Sequence, residues 1–132
     1  MRAIRILLVD DMPIVLHGLR LRLSLEPDLS VVGEAGDGVT AVAKAQALEP
    51  DVVVMDVKMP RMDGFRATER LCELVPSAAV ILTSMHEDAE TRMRAVRAGA
   101  IAFVPKSAAA DALIGAIRRA VSGAWDPEQT PR

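Results

Sequence analysis

Two adjacent carboxylates, Asp10 and Asp11, close the apolar run from Ile4 to Val9. Neighbouring anions repel and cost more to desolvate than one, so a compensating cation or a cap has to come from elsewhere in the chain. Later apolar runs end on further polar residues, of which only the last is a cation: Asp56 after Val52 to Met55, Ser84 after Ala79 to Thr83, and Lys106 after Ile101 to Val104. Three acids with a hydroxyl and a lysine make an oxygen-rich site for a hard divalent cation such as Mg²⁺, which keeps several waters and binds alongside phosphate groups. Each residue also has a plainer reading. Asp11, ahead of Met12-Pro13, could cap a helix, and Asp56 could belong to the turn Met59-Pro60-Arg61-Met62-Asp63-Gly64. Ser84 could likewise cap a helix and Lys106 could be a solvated surface lysine, whereas capping leaves Asp10 unexplained. Together these plainer readings require five coincidences.

The elements that would position these residues alternate regularly. A fifth apolar run, Ser30 to Val32 with an extension to Glu34, completes a set of five, and each run precedes a segment with helical spacing. Pro13 to Leu25 suits a helix with proline in its first turn. Val39 to Leu48 follows the turn Gly36-Asp37-Gly38, and a third helix opens at Asp63-Gly64 and runs to Leu74. The fourth is expected from about Asp88 to Ala98 with Gly99 as a left-handed stop, and the fifth from a Ser107 cap to about Ser122, stopping at Gly123. Strands too apolar to present a wet face, each followed by a helix, predict a parallel sheet covered on both sides. Right-handed crossovers then favour a flavodoxin-like (βα)5 sheet with strand order 2-1-3-4-5 and its crevice at the carboxyl ends of the strands.

Composition agrees with one domain. The 132 residues are 51% apolar but 2% aromatic, with no Tyr, so the core has to be aliphatic. Sixteen Lys and Arg against eighteen Asp and Glu give a net charge of −2, which offers no overall field for nucleic acid. The single Cys72 makes neither a disulfide framework nor a cysteine metal site, and no apolar stretch reaches the length of a membrane span. A reduced, cytoplasmic location away from membranes is expected.

The stretches ILLVDD, VVVMDVKMPRMDG, SMHED, RAGAIAFVPK and AIRRAVSG closely resemble the receiver domain of two-component response regulators, over residues 3 to 122. The SMHED and AIRRAVSG segments look most like the NarL/LuxR-type subfamily and its CheY-like fold. The resemblance implies that Asp56 is the phosphoacceptor. It also implies that Asp11, Asp56 and the Lys58 backbone carbonyl hold Mg²⁺, or Mn²⁺, with Asp10 acting partly through water. Ser84 would hydrogen-bond the phosphoryl oxygens, Lys106 would pair with them, and Phe103 would be the aromatic switch residue, unless it serves core packing alone. Thr83 competes for the hydroxyl role, although counting back from Gly99 puts Ser84 in register. Lys58 and His86 could gate water at the acyl phosphate and so tune its lifetime, or be solvated loop residues. In contrast with many receivers, Pro105 precedes Lys106 and Ser107 follows it, so no Lys-Pro bond exists here.

The resemblance further implies a domain of residues 1–123 that a sensor histidine kinase phosphorylates. A linker of residues 124–132 would lead to a LuxR-type helix-turn-helix output domain absent from this chain. Homodimerisation on phosphorylation, DNA binding only through that output domain, and regulation of transcription would follow. By the same reading the protein is no enzyme, only a phosphoacceptor that promotes its own phosphorylation and dephosphorylation. The alternatives are a stand-alone receiver acting through protein contacts, a pseudo-receiver serving only as an interaction module, and an Asp-nucleophile phosphatase. The pseudo-receiver sits poorly with a complete set of acids, hydroxyl and lysine. The phosphatase pattern wants a second Asp where Lys58 stands.

Overall fold

Apolar strands such as Ile4–Val9 and Val52–Asp56 have to be covered on both faces, and the chain meets that demand by returning a helix after every strand. The computed structural model describes residues 2–122. The order is β1 (Ile4–Val9), α1 (Pro13–Leu23), β2 (Leu29–Ala35), α2 (Gly38–Leu48), β3 (Val52–Asp56), α3 (Gly64–Leu74), β4 (Ala79–Ser84), α4 (Ala89–Ala98), β5 (Ala102–Pro105) and α5 (Ala110–Ser122). All five strands pair in parallel in the order β2-β1-β3-β4-β5. The expected flavodoxin-like, CheY-like architecture is therefore the one observed.

The strand alternation splits the core in two. Leu7, Val53, Met55 and Leu82 pack against α2, α3 and α4, while Ile6, Leu8, Val54 and Ile81 pack against α1 and α5. Asp37, Asp63 and Asp88 accept hydrogen bonds from the backbone N–H groups of Thr40, Arg66 and Thr91 at 2.8, 2.9 and 2.8 Å, which starts α2, α3 and α4. Gly99 ends α4 at φ +107, a conformation that glycine adopts without strain. Among the described residues no helix is long and apolar enough to cross a membrane.

Several boundaries differ from expectation. β3 and β4 each run one residue further, so Asp56 and Ser84 are themselves the last residues of their strands. β5 begins one residue late, at Ala102, and α1 stops at Leu23 rather than Leu25. Ser107 does not cap α5, which begins only at Ala110. Lys106 N–H still donates to the Ser84 carbonyl at 2.9 Å, prolonging the sheet pairing, and Ala108 N–H closes a turn on Pro105 at 3.0 Å. The Ser107 hydroxyl donates instead to Glu87 at 2.8 Å. The expected linker of residues 124–132 and the boundary at Gly123 lie outside the described residues.

One charged clamp ties α5 to the α1–β2 connection. Arg118 Nε donates to Asp28 at 2.9 Å, and its Nη2 donates to Glu26 at 2.7 Å and to Asp28 at 2.9 Å. Arg22 reaches the other Glu26 oxygen at 2.8 Å. The Arg118 hydrogen bonds lower the Asp28 pKa, and those from Arg22 and then Arg118 lower that of Glu26. A lowered folded-state pKa contributes stability that is present above the unfolded values, about 3.9 for Asp and 4.3 for Glu, and lost as the pH falls through the folded ones. Acid melting curves should therefore be steeper for the parent than for Arg118→Ala from roughly pH 5 downward. The two proteins should also converge in stability at the acid end; parallel curves would mean that the clamp is not linked to protonation.

Candidate functional site

Parallel strands leave all their carboxyl ends on one edge, which is where the chemically distinctive residues gather. Asp10 follows β1, Asp56 ends β3, Ser84 ends β4 and Lys106 follows β5. Asp10, Asp11 and Asp56 each offer a carboxylate oxygen within 4.8 Å of the others. Asp10 and Asp56 are buried and Asp11 is exposed. The Lys106 ammonium lies between the two buried acids, 2.7 Å from Asp10 Oδ2 and 3.2 Å from Asp56 Oδ2.

This arrangement answers the question raised by the paired acids. Asp10 Oδ1 accepts the Met12 N–H at 3.0 Å, so Asp10 itself steadies the turn into α1. No side chain caps that helix, which removes the capping alternative for Asp11. Burial raises the Asp56 pKa, and the Asp10 charge adds to that; Lys106 and the Lys58 backbone N–H oppose it. For Lys106 burial acts to lower the pKa, but the Asp10 hydrogen bond and the charge of Asp56 outweigh it and hold the group above its ordinary value. Three carboxylates facing one ammonium leave two negative charges uncompensated. An all-oxygen donor set with surplus negative charge suits a hard divalent cation, so these three aspartates could hold a metal.

Ser84 is buried, and its oxygen accepts the His86 N–H at 2.9 Å while its own proton remains available to donate. Thr83 is buried too, but its hydroxyl lies 3.5 Å from the Met55 carbonyl, committed to the neighbouring strand. Phe103 is not among the acids. It is half-buried against the α2–α4 side of the core, with the Arg92 guanidinium 4.9 Å from its ring centre. The side chains of Lys58 and His86 are exposed in the loops after β3 and β4.

Sequence reading missed the role of Gly64, which had been legible only as the start of a helix. Its N–H donates to the Val57 carbonyl at 2.7 Å. A Cβ there would collide with the Asp56 carbonyl oxygen and lie 2.8 Å from Val57 Cα. Backbone, not a flexible side chain, would have to move. The Asp-Gly pair after a proline turn was the signal available.

Residues 6–118 match the family model described as the response regulator receiver domain. The chain belongs to this family. It is 37% identical over 120 residues to the transcriptional regulatory protein YxjL of Bacillus subtilis, covering 91% of this chain and 55% of that protein. It is 46% identical over 104 residues to protein-glutamate methylesterase/protein-glutamine glutaminase 4 of Myxococcus xanthus, covering 78% of this chain and 30% of the enzyme. A LuxR-family two-component response regulator from Aurantimonas sp. SI85-9A1 superposes with a TM-score of 0.87 at 35% identity, covering 92% of this chain and 86% of that one. NarL/LuxR-type regulators are thus among the receiver's relatives, and it spans about half of YxjL and under a third of the methylesterase. The methylesterase match corrects one expectation. Family membership does not mark a protein as no enzyme, because proteins named as methylesterases carry the matching stretch.

Two outcomes test the receiver's site. Gly64→Ala should destabilise the fold by about 1–3 kcal/mol, the usual cost of overpacking, in denaturant melts. Asp11→Asn should melt above the parent without metal, by up to about 1 kcal/mol, because one unbalanced charge is gone. It should also gain less from added Mg²⁺, and equal Mg²⁺-induced shifts in both proteins would count against the site.

Proposed function

We propose that Asp56 accepts a phosphoryl group from the phosphohistidine of a sensor kinase and thereby switches an output domain that regulates transcription. The observation that carries this reading is the Lys106 ammonium held at 2.7 and 3.2 Å from Asp10 and Asp56 within a cluster of three acids. Phosphoryl transfer asks mainly for in-line positioning and for positive charge on the non-bridging oxygens. An Asp56 carboxylate oxygen attacks phosphorus, the phosphorus–nitrogen bond breaks, and the imidazole leaves with the bonding pair. Lys106 opposes the effect of burial on Asp56 and neutralises the incoming oxygens, while the Ser84 hydroxyl donates to one of them. Asp10, Asp11, Asp56 and the Lys58 backbone carbonyl would hold Mg²⁺ or Mn²⁺. When bound, that ion supplies the positive charge which the carboxylate surplus lacks.

Phosphorylation would bias the Ser84 loop and Phe103, whose neighbour Arg92 belongs to α4, and so alter the surface of α4, β5 and α5. Dimerisation of the phosphorylated form belongs to the same reading, as does a cytoplasmic setting. A transcription-regulating output is supported by the match to YxjL over 91% of this chain, longer than the 78% matched by the methylesterase. The higher identity to the latter, 46% against 37%, favours as a second reading an output domain that acts on protein glutamyl esters.

Intact mass after incubation with acetyl phosphate tests the acceptor. One phosphoryl group should add in the presence of Mg²⁺ and none without it, and Asp56→Asn should add none. An undiminished increase in that variant would sink the assignment. Lys58 and His86 stand exposed where water would approach. Replacing both, as Lys58→Asn with His86→Glu, should change the decay rate of the phosphorylated protein several-fold. Unchanged decay would make both ordinary loop residues.

A further inference from the structure

The α1–α5 side of the sheet is not filled up to its carboxyl edge. A cavity of about 360 Å³ opens between α1, the ends of the central strands and the turn into α5. That size is within the range of roughly 300–1,000 Å³ usual for small-molecule sites. Its walls are hydrocarbon: Val15 and Leu19 from α1, Val54 from β3, Val104 from β5 and Leu113 from α5. Such a lining gains nothing from water and favours an apolar occupant.

Local sequence explains why the space exists. Sheet pairing continues to Lys106, α5 starts only at Ala110, and the residues between them reach the cavity with nothing larger than the methyls of Ala108, Ala109 and Ala110. A longer side chain at any of these positions could have filled the gap.

At the carboxyl edge of the sheet the lining turns polar, with Asp10 and Lys106 as its charged residues and Thr83 as its hydroxyl. Both Lys106 contacts there are already to carboxylates, at 2.7 and 3.2 Å. Asp10 accepts one bond on each oxygen, from Met12 N–H and from Lys106. A carboxylate offers about four acceptor positions, so it retains capacity for another donor. The surplus negative charge around this edge repels an anionic head group and attracts a cationic one.

We infer that this cavity is a binding site for a small apolar molecule bearing one amino group, with its hydrocarbon between α1 and α5 and its ammonium on Asp10. The site is present in the unphosphorylated chain but shares Asp10 and Lys106 with the proposed phosphoryl site, so a divalent cation on the acids would compete with the amine for Asp10.

The test is an amide NMR titration of the unphosphorylated protein, without divalent cations, using phenethylamine, phenethyl alcohol and hydrocinnamate. Phenethylamine should give saturable shifts at Leu19, Thr83 and Leu113. Phenethyl alcohol should bind at least about tenfold more weakly, having lost the charge-assisted hydrogen bond, and hydrocinnamate not at all. Ala109→Leu should fill the space and abolish the amine shifts, with Ala108→Leu as an independent filling should the first variant not fold. Equal binding of amine and alcohol would overturn the proposal. So would the absence of saturable shifts, shifts confined to residues away from the cavity, or amine binding that survives in a folded, filled variant.

Discussion

Everything at the carboxyl edge of the sheet depends on one electrostatic constraint: two buried carboxylates, Asp10 and Asp56, share a single ammonium. Without Lys106 the two buried carboxylates would face each other across a medium that screens them poorly. With it the two acids are bridged, although three carboxylates still face one ammonium. The cluster is thus stable enough to exist in a folded domain and still short of positive charge. Incoming cations are attracted to that deficit.

The fold delivers this constraint with little local help. Four of the five residues come from, or directly follow, four different strands, and parallel pairing alone brings residues from 10 to 106 to the same edge. Burial of both faces keeps the strands in register, since a slip of one residue would turn Leu7, Val53 and Leu82 to the wrong core. Gly64 performs a similar service at closer range by letting α3 start directly against the Asp56 backbone. Positioning therefore rests first on the aliphatic core and on one missing side chain.

Most of the architecture was legible because it is written in periodicity: Val-rich runs, helical spacing, Gly99 as a stop and Asp residues before helices are local signals. The strand-end acids, hydroxyl and lysine were legible for the same reason, as polar residues terminating apolar runs. What failed was decided by hydrogen-bond partners that residue pattern alone does not name. Ser107 resembles a helix cap until Glu87 is beside it, and Asp11 resembles one until Asp10 is seen to hold the Met12 N–H. Thr83 and Ser84, successive residues of β4, have unlike surroundings: the Thr83 hydroxyl lies 3.5 Å from the Met55 carbonyl, while the Ser84 oxygen accepts the His86 N–H. The closeness of Gly64 to Asp56, and the seating of Arg94 over Phe65 at 4.2 Å, are tertiary facts with no local signature.

The Ser107–Glu87 hydrogen bond has a mechanical consequence. Glu87 follows His86, whose N–H is held by Ser84; Ser107 follows Lys106, whose N–H is held by the Ser84 carbonyl. The two connections beyond β4 and β5 therefore form a closed ring, part covalent and part hydrogen-bonded, that begins and ends at Ser84. In an open chain a displacement at one residue dissipates through the next few torsions. In a ring it has to be shared, so a shift of Ser84 is transmitted to the turn that leads into α5 unless one of the hydrogen bonds breaks first.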